Sequence, residues 1–121
     1  MKMKYLLSAL AIAALLTSCR HSGETYIKVK DTDDYYRFSA AFNEDLSPRI
    51  GKFISEEVSP IHINPEIDSK VITVLSDQTK LTVETSPGEV MVFLKKDENG
   101  PASYHRVKNM CEGIKEIIGG K

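Results

Sequence analysis

Long apolar runs are scarce in this chain. After residue 18 no stretch is long and apolar enough to cross a bilayer, for which about 20 residues are needed. Basic excess is missing as well. Sixteen Lys and Arg face seventeen Asp and Glu, a formal charge of −1. A nucleic-acid binder would normally show a basic surplus, so no nucleic-acid partner is expected. Cysteine occurs only twice, which excludes a disulfide framework. There are no internal repeats and no low-complexity tracts. The motifs of common catalytic sites are also missing: no Gly-x-Ser-x-Gly elbow, no phosphate loop, no His-Glu-x-x-His helix. The three histidines, His21, His62 and His105, show no metal-ligand spacing. Neither catalysis nor a cofactor or metal is therefore expected.

What is present is unevenly spread. Apolar residues are 41% of the 121, yet thirteen of them fall in the first 18 positions. Met1-Lys2-Met3-Lys4 is a basic start, and Tyr5–Leu16 is an apolar segment of twelve residues. That length suits a secretory signal and is too short for a stable span. Leu16-Thr17-Ser18-Cys19 follows. Residues 1–19 resemble the signal peptide and lipobox of bacterial lipoproteins. The resemblance implies cleavage before Cys19, a diacylglycerol on its thiol, acylation of the new amine, and a membrane anchor. Two or more acyl chains hold a protein stably where one holds it marginally. Arg20, rather than Asp, follows Cys19. By analogy with lipoprotein sorting, this points to the outer membrane of a Gram-negative envelope. Arg20–Glu24 would be the tether, five residues that reach about 17 Å when extended. Residues 25–121 then form one domain. With Cys19 lipidated, Cys111 has no partner and is expected as a free, buried thiol.

The mature chain alternates in short segments. Thr25–Lys30 sets Ile27 and Val29 opposite Lys28 and Lys30. Tyr35–Phe42 places Tyr36, Phe38, Ala40 and Phe42 on one face. Asp31-Thr32-Asp33-Asp34 lies between them and reads as a hairpin turn. A calcium loop would need an oxygen ligand and a glycine where Tyr35 and Tyr36 stand. Ser47 is expected to cap a helix over Pro48–Val58, with Pro at its first position and Ile50, Phe53, Ile54 and Val58 on one side. Gly51 weakens that helix by roughly 1 kcal/mol relative to Ala. Ile61–Ser69 is a loop with room for a short extended piece at Ile61–Ile63. Val71–Leu75, Leu81–Thr85 and Glu89–Lys95 form an antiparallel meander. Ala102–Ile118 is a helix whose stripe runs through Tyr104, Val107, Met110, Cys111 and Ile114. Cys111 and His105 lie about 9 Å apart along that helix and cannot form a dyad.

The order ββαβββα predicts an α+β fold, a two-layer sandwich of a five-stranded antiparallel sheet with two helices on one face. Periodicity does not fix the strand order. Glu89–Lys95 is apolar on both sides, with Val90, Val92 and Leu94 opposite Met91 and Phe93. Helices on one face would leave Met91 and Phe93 uncovered, beside Tyr35 and Arg37. An apolar patch ringed by Tyr and Arg suits a partner surface; a covering loop or tether would remove it. The expected role is a non-catalytic accessory module that binds an envelope protein through Tyr35, Arg37, Met91 and Phe93. The alternative is a small-ligand or cation binder using the sheet face or the acidic turns. A homodimer is the other partner to consider.

Overall fold

The chain enters its first hairpin through a threonine. Thr32 Oγ1 accepts from the backbone N–H groups of Asp34 (3.2 Å) and Tyr35 (3.1 Å), and the Thr32 N–H donates to the Tyr35 carbonyl. This side-chain turn folds β1 (Tyr26–Asp31) back onto β2 (Tyr35–Ala41). The computed structural model describes residues 25–120, so the leader, Cys19 and the tether lie outside the described residues. After β2 come α1 (Ser47–Glu57), β3 (Ser69–Val74), β4 (Lys80–Ser86), β5 (Glu89–Lys95) and α2 (Pro101–Ile118). The fold is α+β in the order ββαβββα.

All strand pairs are antiparallel, and the order across the sheet is β1-β2-β5-β4-β3. A hairpin and a three-stranded meander are thus joined by the β2–β5 pair, whose strands are far apart in sequence. β1 and β3 are the two edges. Pro87-Gly88 closes the β4–β5 hairpin. Gly88 has φ +77°, the left-handed value that position i+2 of such a turn demands.

Both helices pack on one face of the sheet. Ile50, Ile54 and Val58 of α1 and its end meet Val107, Met110, Cys111 and Ile114 of α2 over Phe38, Val83, Val92 and Leu94, all buried. Two glycines allow the close approaches. The Phe53 ring occupies the place of a Cβ on Gly113, where α1 crosses α2, and the Pro65 ring does the same at Gly51. Gly51 therefore returns its helix-propensity cost as packing space.

Three local expectations need correction. Ser47 is the first residue of α1, not its cap, because a 3₁₀ turn at Glu44–Leu46 leads into the helix. Asn43 caps that turn by accepting from the Asp45 N–H. The buried Ser47 hydroxyl instead accepts from the Gly88 N–H at 3.0 Å and ties the helix start to the β4–β5 turn. Ile61–Ile63 forms no strand. Ile63 is buried, and its N–H and C=O both bond Ser55 Oγ, at 2.9 and 3.3 Å. Finally, β3 begins at Ser69 and ends at Val74, earlier than Val71–Leu75, because Leu75 closes the following turn against Thr79.

Charged groups lock the rim of the helix layer. Arg106 of α2 pairs with Asp77 at 2.7 Å and donates to the Glu57 carbonyl at the end of α1. Bonding to Arg106, then to Thr79, pulls the Asp77 carboxyl from an ordinary 3.8 down to about 2. A carboxylate with a lowered folded-state value stabilises the fold above the unfolded value and loses that contribution as pH falls. Stability is thus expected to hold from neutral pH down to about 5, then decline between about 4 and 2. Asp77→Asn should flatten that acid limb in urea midpoints measured against pH. An unchanged limb would mean that this pair does not couple to folding.

Candidate functional site

The helices leave the other face of the sheet open. The 61–68 loop does not cover it, since Ile63 packs in the core and Pro65 lies against Gly51 of α1. Among the described residues no helix or loop lies over the centre of this face.

Strand register decides which side chains meet there. One row across the open face runs Lys30, Arg37, Phe93, Thr82, Ile72; the next runs Lys28, Ser39, Met91, Glu84, Lys70. Tyr35 stands beside Lys95 at one end of the face, and Tyr26 lies at the other. Three of the four residues expected here form one stack. The Tyr35 and Phe93 rings lie 5.5 Å apart at a 34° tilt, and the Arg37 guanidinium sits 5.2 Å from the first and 5.5 Å from the second. Such a cation over aromatic faces is held by the ring quadrupole. Met91 shares the face but stands one row away, between Ser39 and Glu84.

The stack extends into β1, where register reveals residues that strand-by-strand reading missed. Lys30 Nζ lies 5.9 Å from the Tyr35 ring, and Lys28 Nζ 5.2 Å from the Tyr26 ring. With Arg37, Lys70, Lys80 and Lys95 these make the face basic on balance, against Glu84, Glu89 and Asp68 at its rim. The chain as a whole carries −1. Positive charge is therefore concentrated on this face and depleted elsewhere. The alternation of Lys28 and Lys30 with Ile27 and Val29 was the available signal. Only the β1–β2 pairing shows that those lysines join Arg37.

The other candidate groups are occupied structurally. Asp31 accepts from Lys96 Nζ at 2.7 Å and from the Tyr104 hydroxyl, and these bonds lower its carboxyl below the usual range. Asn99 bonds Lys80 N–H, Lys80 C=O and Lys95 C=O, so it ties the ends of β4 and β5. Cys111 is free and fully buried, and burial pushes its thiol up to about 12. A neutral thiol at that depth is a poor nucleophile. Open hollows among the described residues include one of about 600 Å³ on the open face between Tyr26 and Lys70, one of about 590 Å³ between α1 and the 59–66 loop, and one of about 430 Å³ beside Lys28, Lys30 and Arg37. Among the described residues no group of three His, Cys, Asp or Glu side chains is placed to hold a metal ion.

Comparison with protein-family models, with curated proteins and with solved structures returns no match.

Proposed function

We propose that this chain is a small lipid-anchored protein of a bacterial envelope, placed at the outer membrane, that acts by binding rather than catalysis. It serves as an accessory module whose open sheet face docks on a partner envelope protein. The observation that supports this reading is the Tyr35–Arg37–Phe93 stack. Tyr and Arg are enriched at the energetic centres of interfaces and Phe in their buried cores, and here all three stand on an uncovered face with basic neighbours. The charge adds the partner's chemistry: an acidic rim around an apolar centre. Charge complementarity of this kind speeds encounter and fixes register more than it adds affinity. The basic charge works against cation binding on the sheet face; the alternative reading, a small-ligand binder or a cation binder at the acidic turns, is not touched by it. The anchor rests on the lipobox resemblance of residues 1–19. A tether of five residues would keep the start of the domain, at Thr25, within about 17 Å of the bilayer surface or of a membrane-bound partner.

In-cell crosslinking of the full chain, followed by mass spectrometry, tests the docking. One recurrent envelope protein with an acidic surface is the expected catch. Capture of no protein above background would overturn the adaptor reading. The anchor is tested separately with Cys19→Ala, which should leave the protein unlipidated and extractable without detergent. Full membrane retention of that variant would point to another anchor.

A further inference from the structure

The two edges of the sheet differ in a way that selects their partners. An exposed strand edge offers unpaired backbone groups to any other strand, and natural proteins guard such edges with charge, above all Lys. β1 is guarded. Two copies of β1 can pair antiparallel with five of six residues matched in only two registers that keep the faces aligned. With the two-fold at residue 28, Lys28 opposes its own copy. With the two-fold at residue 29, Lys28 opposes Lys30 twice. Like charges directly opposite destabilise a pair.

β3 has no such guard. Its open-face residues are Lys70, Ile72 and Val74, and Ile72 and Val74 are 75% and 53% exposed. Ile72 is the most exposed of the large apolar side chains described. In either five-residue register of β3 on β3, Lys70 meets an apolar residue and never its copy. With the two-fold at Ile72, Ile72 packs on Ile72, Lys70 lays its aliphatic stem along Val74, and Val71 meets Thr73 on the helix side.

We infer that the β3 edge is a self-association surface: two copies pair antiparallel through Lys70–Val74 about a two-fold axis at Ile72 and join their sheets into one of ten strands. The contact is isologous and closes on itself, as most homodimers do. It leaves β1 at the two outer ends and the Tyr35–Arg37–Phe93 stack, on β2 and β5, clear of the joint. The dimer therefore presents two copies of the basic aromatic face on one side, and the inference does not depend on what that face binds.

Disulfide trapping in the full chain, in cells treated with a mild oxidant, tests the geometry. Opposed residues in an antiparallel pair have Cα atoms about 4.5–5.5 Å apart, within the span a disulfide bridges. Ile72→Cys should give a covalent dimer. Lys70→Cys and Val74→Cys should each give none alone, because each lies about 14 Å from its own copy in this register. Co-expressed, those two variants should crosslink to each other. Val29→Cys, on the guarded edge, keeps both Lys28 and Lys30 and is the control; it should stay monomeric. Ile72→Cys trapping no better than Val29→Cys overturns the inference. So does equal trapping at positions 70, 72 and 74, which marks random collision.

Discussion

Phe38→Ala is expected to lower the unfolding free energy by about 3–5 kcal/mol, the usual cost of emptying a buried Phe site. Phe38 is 0% exposed and sits in β2 beneath both helices. Its cross-strand partners are Val29 on β1 and Val92 on β5, and Val92 is also fully buried. The β2–β5 pair holds the hairpin and the meander together, so a cavity there weakens the joint between the two halves of the sheet. A domain of this size is stable by roughly 5–15 kcal/mol in all. The loss would remove a fifth of it or more. Urea denaturation should show a lower midpoint with an unchanged slope. Phe93→Ala is the matched comparison, one sheet face away, and should lower the unfolding free energy by only about 1 kcal/mol, the scale of a cross-strand pair. Equal shifts for the two variants would mean that the helix layer is not the principal core.

This contrast between Phe38 and Phe93 is the part of the structure most legible in the sequence. Alternation along Tyr35–Phe42 and Glu89–Lys95 sorts buried from open residues, because a strand has a period of two and a core demands one face. The helix stripe around Cys111 is legible for the same reason with a period of 3.6. What periodicity leaves open is which strands are neighbours. Joining β2 to β5 brings residues some fifty positions apart into register, and nothing local in either segment encodes that choice. The candidate site suffers the same limit. Tyr35, Arg37 and Phe93 are each assigned to a face by their own strand, but Lys28 and Lys30 enter the stack only through the β1–β2 register. Side chains that bond across loops are hidden altogether. Ser47 has the residue type and position of a helix cap, and its hydroxyl is taken by Gly88, forty-one residues away. Asn99 looks like an ordinary turn residue and serves as the clasp between β4 and β5.

Phe93→Asp is expected to leave the domain folded and to weaken partner capture by about 30-fold or more, the effect of losing a hot spot of 2 kcal/mol or above. Three changes act together. The ring that supports one side of Arg37 is removed, so the guanidinium loses its 5.5 Å contact and its fixed direction. Tyr35 loses the ring it leans on. A carboxylate then stands directly across from Arg37 in the β2–β5 register, pairs with it, and cancels the charge that an acidic partner would meet. Folding survives because Phe93 faces away from both helices, with Val92 and Leu94 carrying the core side of β5. Circular dichroism and the urea midpoint read folding, and crosslink recovery reads capture. Arg37→Glu gives an independent check, since it reverses the charge and leaves both rings in place. It should reduce capture most at low salt, where charges beyond a Debye length of about 8 Å at physiological ionic strength still act. Collapse of the fold in Phe93→Asp would make that ring part of the core. Full capture by both variants would remove the open face from the interface.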